Sequence, residues 1–293
     1  MVALAFGAFG LITGSFLNVI IFRHGARSIG GRSGCMSCGM QLPWYDMIPV
    51  LSWLALGGRC RFCRGRISSQ YPLVEAATGT LFALVGASPL LLPQKVLGCA
   101  VLALLICVAA YDFKHTIIPD RWVWSFNALA FVFASAFPWH LAAGIPQGDC
   151  DFLCLGYSAW KSGALQLALL AGPIAAAPLF ALWLFSRGRW MGLGDGKLAL
   201  GIGWLLGPAL GLLAVFGAFV IGAVVSLTLI FFSSQQWKKI LRLFTPTSIS
   251  QRLTLGFTMK SEIPFGPFLI AACLLVWFAA MYGVQFPFFS LII

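Results

Sequence analysis

Asp112 and Asp195 each stand at the edge of a long uncharged run. Asp112 comes immediately after one, in Tyr-Asp-Phe-Lys-His, and Asp195 immediately before another, in Met-Gly-Leu-Gly-Asp-Gly-Lys. If both runs cross a membrane with these ends on one face, the two carboxylates share a depth although 83 residues separate them. Facing carboxylates repel, so such a pair holds one proton between them and titrates as a unit. One member can act as base on a water while the other donates a hydrogen bond to a carbonyl, which is the chemistry of amide hydrolysis. Gly192, Gly194 and Gly196 remove side chains around Asp195, so an extended peptide could approach it closely. The competing reading is structural: two interfacial acids that cap helices or pair with Lys114 and Lys197.

A second reactive group is Cys35-x2-Cys38 with Cys60-x2-Cys63. Two such pairs suit tetrahedral zinc, each closing a knuckle. The gap of 21 residues between them is slightly wider than the usual span of roughly 15–20. On a reducing cytoplasmic side disulfides are disfavoured, so a structural zinc ribbon is expected, with a redox pair or free thiols as alternatives. Arg59, Arg61, Arg64 and Arg66 crowd the second pair, where they offset thiolate charge and could meet anionic lipid headgroups. Cys150 and Cys154 could form a disulfide on the opposite, oxidising side. Cys99, Cys107 and Cys273 read as packing residues. His24, His115 and His140 are scattered, and no Walker loop, GxSxG or HExxH occurs.

The elements that must position these residues are membrane helices. Of 293 residues, 60% are hydrophobic and 9% charged, against about 25% charged in soluble domains. The mean hydropathy is +0.93. A soluble globular domain and a disordered chain are both excluded. The net charge of +11 does not point to nucleic acid, because the charges cluster in short segments between uncharged runs. About 20 apolar residues cross the hydrocarbon. The expected spans are Val2–Phe22, Ala76–Gln94, Val96–Tyr111, Trp122–His140, Ser162–Ser186, two between Lys197 and Lys238 with a turn at Gly207-Pro208, and Ile263–Ile293. The second and third form a tight hairpin at Lys95. The fold class is thus an all-α polytopic membrane protein of about eight helices with a zinc-ribbon-like loop. One set of connecting loops carries 17 Lys and Arg, the other 2. By the positive-inside rule the first set is cytoplasmic and both termini lie outside. The domains are a first transmembrane helix (1–22), a cytoplasmic loop with the four cysteines (23–75) and the remaining membrane domain (76–293).

Several segments together resemble the type IV prepilin peptidases, polytopic aspartic proteases of bacterial inner membranes. They are Gly14-Ser-Phe-Leu-Asn-Val-Ile-Ile-Phe-Arg23, the paired CxxC sites, Trp44-Tyr-Asp-Met-Ile-Pro-Val-Leu-Ser-Trp53 and Ile67-Ser-Ser-Gln-Tyr-Pro-Leu-Val-Glu75. Further along come Asp112 to Pro119-Asp120, Gly192-Leu-Gly-Asp-Gly-Lys197 and Ile263-Pro-Phe-Gly-Pro267. The resemblance implies that Asp112 and Asp195 are the catalytic pair, with Asp120, Gly192, Gly194, Lys197 and Glu75 in support. It implies cleavage of a short basic leader from prepilins or pseudopilins at the cytoplasmic face of the lipid bilayer. It also implies methylation of the new N-terminal amine with S-adenosylmethionine, an activity associated with the cysteine loop. Asp46-Met47 stands where that family usually shows Glu-Asn, and the 139–162 loop looks longer than the family's.

Two other readings compete. Presenilin and signal-peptide-peptidase types also use Tyr-Asp and GxGD, and a Pro-Ala-Leu occurs here at 208–210. In those proteases the tripeptide opens a later helix, whereas here it lies only 13 residues past Asp195, and they have no zinc loop. A non-enzymatic membrane assembly factor whose zinc ribbon docks a partner is the other.

Overall fold

The computed structural model describes residues 1–25, 30–136, 165–233 and 264–284. His140, Cys150, Cys154, the 139–162 loop and nearly all of the 233–262 loop lie outside the described residues. Within them the chain is helical: α1 (Val2–Arg23), a short 3-10 turn (Trp44–Met47), α2 (Leu51–Ala55), α3 (Gln70–Ala87), α4 (Leu92–His115), α5 (Asp120–Ala136), α6 (Leu165–Ser186), α7 (Leu193–Leu206), α8 (Pro208–Ser233) and α9 (Gly266–Met281). Four helices hold stretches long and apolar enough to cross a membrane, Val2–Arg23, Leu92–His115, Leu169–Ser186 and Pro208–Leu229. The protein is therefore a membrane protein. The cysteine loop adds only two isolated bridges, Gly34 with Gln41 and Arg59 with Arg66.

Small residues let α1 and α3 pack as an antiparallel pair. Gly7 faces Ala83, Gly10 faces Thr78 and Gly79, and Gly14 faces the backbone of Glu75. Near the start of α3, the Asn18 amide donates to the Tyr71 carbonyl at 3.0 Å. Close helix approach through small residues is the usual substitute for a hydrophobic driving force in lipid.

The remaining helices share one apolar core. Leu102, Leu105 and Val108 of α4, Phe126 and Phe133 of α5, Leu198 and Ile202 of α7, and Leu269 and Trp277 of α9 are all fully buried in it. α7 lies at its centre, touching α5, α6, α8 and α9. Its interior glycines are poor helix formers, at about 1 kcal/mol each. Contacts on several sides hold it helical.

Three boundaries differ from expectation. The α3–α4 turn falls at Ser88–Leu91, not at Lys95, which lies inside the first turn of α4. Its ammonium donates to the Gly86 carbonyl at 2.8 Å, so the charge caps the preceding helix from within the next one. The 40 uncharged residues after Lys197 divide unequally at Gly207-Pro208. α7 has 14 residues and α8 has 26, and α7 at about 21 Å is shorter than the hydrocarbon thickness. Finally, α4 runs through Asp112 to His115 and stops only at Thr116, whose φ of 53° is left-handed. Lys114 and His115 in that last turn complement the helix dipole. Asp112 thus lies within its helix, not after it.

The α1–α3 contact makes a sharp prediction. A methyl group at Gly14 would lie 2.7 Å from the Glu75 Cα, which is backbone and cannot swing aside. Gly14→Leu should cost about 1–3 kcal/mol and lower the apparent melting temperature of purified protein. Gly217→Ala, where the added methyl meets Ala272 at an ordinary 3.5 Å, should leave it unchanged.

Candidate active site

The fold brings the two chemically suited aspartates near one another. Asp112 sits in the last turn of α4 and Asp195 is the third residue of α7. Both are buried, at 4% and 8% exposure, and they are close enough to interact electrostatically. Each faces one backbone amide. Gly192 is the N-cap of α7, and its N–H faces the Asp195 carboxylate. Asp195 stands at the third position of its helix, where an acid faces the free amides of the first turn, so the helix-start part of the structural reading has support. The N–H of Gly266, the first residue of α9, faces Asp112. Amides at a helix start have no partner within their own helix and carry the positive end of its dipole, which suits a carboxylate.

The rest of the structural reading fails. Lys197 pairs with Asp120 at 2.7 Å, and the Lys114 ammonium lies 4.6 Å above the Phe22 ring. Among the described residues, neither buried aspartate has a cationic partner.

The glycines around Asp195 also work differently from expectation. A methyl at Gly194 would lie 3.1 Å from the Ile118 Cβ, and one at Gly196 would lie 3.1 Å from the Phe180 ring. The room they create is taken up by the protein, not left for a peptide. Only at Gly192 would an added methyl meet nothing but the site itself, 3.6 Å from Asp195 Oδ2.

Two residues escape a reading of the sequence. A methyl at Gly266 would lie 2.5 Å from Asp112 Oδ2 and 3.3 Å from Ile118 Cδ1. Ile118, on the four-residue link between α4 and α5, therefore touches the starts of both α7 and α9. The prolines flanking Gly266, at 264 and 267, signal a turn there, but nothing in the sequence marks Ile118.

The supporting residues split into two places. Asp120 and Lys197 pair at the rim, where the Asp120 side chain is 65% exposed. Glu75 does not join the aspartates. It is buried on α3 and accepts the Val50 N–H at 2.7 Å, tying the cysteine loop to the helices. His24 and His115 lie in an aromatic cluster with Tyr111 and Trp122.

The four loop cysteines converge, with all four sulfurs within 4.8 Å of one another. Cys35 and Cys63 Sγ are 3.8 Å apart. Zn–S bonds of about 2.3 Å set tetrahedrally separate sulfurs by about 3.8 Å, so the donor set fits zinc. Amides of Cys38 and Ser37 pointing at Cys35 lower its thiol to about 6, which favours the thiolate that a metal needs. Asp46 holds Arg61 through a bidentate pair, raising the guanidinium further above its usual range and bracing the second knuckle. Purified protein should therefore contain one zinc per chain. Cys60→Ser should lose it and open the Arg59–Arg66 hairpin to trypsin, with the membrane helices still protected. Zinc analysis and limited proteolysis check both.

Known proteins resemble this chain along most of its length. Residues 8–88 match the Bacterial Peptidase A24 N-terminal domain, and residues 99–227 match the Type IV leader peptidase family. A prepilin leader peptidase/N-methyltransferase of Burkholderia pseudomallei (strain 1026b) is 31% identical over 89% of this chain and 80% of its own length. One from Vibrio cholerae is 30% identical over 73% of this chain and 83% of its own length. One from Myxococcus xanthus is 39% identical over 52% of this chain, which spans about half of that relative (47%). No solved structure matches. The chain belongs to the type IV leader peptidase family and is a peptidase.

Proposed function

We propose that Asp112 and Asp195 are the pair with which this peptidase removes the short basic leader of prepilins or pseudopilins, at the cytoplasmic face of the bacterial inner membrane. One observation carries the reading: two buried carboxylates that feel each other electrostatically, with no cationic partner among the described residues and one helix-start amide facing each. The ionised member takes a proton from water, whose oxygen attacks the scissile carbonyl carbon. The protonated member donates to the carbonyl oxygen. The tetrahedral intermediate then collapses, the C–N bond breaks, and the amine leaves with a proton. Gly192 and Gly266 hold the carboxylates in register; they are positioning residues.

The eight described helices other than α2 are taken as eight spans with both termini outside, supported by the 17-to-2 division of Lys and Arg between the two sets of loops. Residues 76–293 form the peptidase domain, and 1–22 with 23–75 form a first helix and a zinc-bearing loop. That loop supports a second activity, methylation of the new N-terminal amine, the activity named for the relatives above. Cys35, Cys38, Cys60 and Cys63 would hold a structural zinc there, supplying folding free energy that so small a loop lacks. The methyl donor would be S-adenosylmethionine. The described residues of the loop gather no site for it: Asp46 is taken by Arg61 and Glu75 by Val50.

The decisive test is cleavage of a prepilin by protein reconstituted in lipid. Asp112→Asn and Asp195→Asn should each reduce cleavage about 10³-fold or more while the protein still inserts. The double variant should be little worse, since the pair acts as a unit. Near wild-type cleavage by either single variant would refute the assignment. Gly266→Ala, which crowds Asp112, should slow cleavage about 10-fold or more. Asp120→Asn removes only an exposed pair worth about 0–1 kcal/mol and should cost less than about five-fold. Reporter fusions after Arg66, near 118 and near 190 should read cytoplasmic, and one near 90 outside.

Changing Cys35 and Cys60 to Ser should impair methyl transfer more than cleavage when the two steps are assayed separately. Equal loss of both would mean that the loop scaffolds the whole enzyme.

A further inference from the structure

The cysteine loop contains a stretch unlike the rest of it. Between Trp44 and Ala55 the one charged residue is Asp46. Its side chain is only 2% exposed and is closed by the Arg61 guanidinium at 2.6 Å. Around this neutralised acid the side chains turned outward are large and apolar: Trp44 (74% exposed), Leu51 (65%) and Leu54 (60%), with Tyr45, Met47 and Ile48 beside them. A water-facing loop has no physical reason to display such a group.

The backbone of this stretch needs little from water either. Val50 N–H goes to the Glu75 carboxylate, and the amides of Leu51, Ser52, Leu54, Leu56, Gly57 and Gly58 all find carbonyls within the stretch or just beyond it. Pro43 and Pro49 have no N–H to satisfy. The Trp53 indole donates to the Ile67 carbonyl. Internal pairing of this kind is what hydrocarbon demands of a non-spanning segment.

Depth is set by Glu75. Its Cα packs against Gly14 of α1, nine residues before the end of that helix at Arg23. At about 1.5 Å per residue, the Glu75 Cα lies about 13–14 Å along α1 from its basic end, and its carboxylate holds the Val50 amide. If α1 crosses the bilayer with Arg23 at the surface, the stretch attached to Glu75 lies below the headgroups.

We infer that Trp44–Ala55 is a re-entrant segment whose apolar face is seated among the acyl chains of the leaflet that α1 and α3 enter, with Arg59, Arg61, Arg64 and Arg66 level with anionic headgroups. Trp and Tyr favour the boundary between these zones, and the arginines match the charge of acidic phospholipids. The cysteine knuckles are then held against the membrane from two sides, by α3 and by the embedded segment. This rests on the reading that α1 spans the bilayer.

The test uses full-length protein in phosphatidylethanolamine–phosphatidylglycerol vesicles containing a phospholipid with a photoreactive diazirine on its acyl chain. After illumination, lipid adducts are mapped by peptide mass spectrometry. Adducts are expected on peptides carrying Trp44, Leu51 and Leu54 as well as on α1. Leu51→Glu with Leu54→Glu, charges that are costly at this depth, should reduce labelling of the segment about ten-fold and leave α1 unchanged. Labelling of α1 without the segment would overturn the inference and leave the spanning reading intact. Absence from both would refute that reading and the inference together. Labelling of the segment that vanishes on adding a prepilin would show that this face belongs to substrate, and would also overturn it.

Discussion

Burying two carboxylates side by side is costly. Each loses several kcal/mol of hydration if ionised, and their mutual repulsion adds to it. A lysine between them would relieve the strain, and would also end the chemistry proposed for them. The two described lysines nearest in sequence are engaged elsewhere, Lys197 on Asp120 and Lys114 over Phe22. It offers each carboxylate a backbone amide instead, taken from the start of a different helix. Much of the fold follows from that arrangement. α4 must end, and α7 and α9 must begin, within a few ångströms of one point. The central place of α7 among α5, α6, α8 and α9 meets that requirement.

Charge was the most legible signal in the sequence, because so little of it is present. With 9% charged residues, an aspartate at the edge of an apolar run stands out, and so do paired cysteines. Punctuation was legible too: Gly207-Pro208 separates α7 from α8. Where charge and punctuation conflicted, charge misled. Lys95 looks like a loop residue but belongs to α4, because a long flexible side chain can reach back to a carbonyl of the previous helix. The unequal lengths of α7 and α8 could not be read, since apolar composition does not say where a helix starts in depth. Gly266 and Ile118 were hidden for another reason. One acts through an amide that every residue except proline has, and the other through shape alone.

The two parts of the chain use their acids in opposite ways. Asp112 and Asp195 are kept from cations among the described residues, and the exposed Asp120 takes Lys197 instead. In the cysteine loop each is spent on structure, Asp46 on a bidentate arginine and Glu75 on the Val50 amide. Glu75 is a constituent of α3 and also the anchor of a loop, so the loop's position is set by the same α1–α3 packing that fixes the first helix. A loop of about fifty residues has too little interior to orient itself. It borrows orientation from the helices and rigidity from the cysteine cluster.

Ile118 fills the gap between the α7 and α9 starts, meeting the space above Gly194 on one side and Gly266 on the other. It acts as a shim. Protein interiors resist compression, so the thickness of this aliphatic side chain helps fix how far apart the two helix starts stand, and with them the two carboxylates they hold. Valine there would let the helices close and phenylalanine would wedge them apart, with every polar atom of the site unchanged. The spacing of the proposed acid–base pair is thus gauged by a residue that is neither acid nor base.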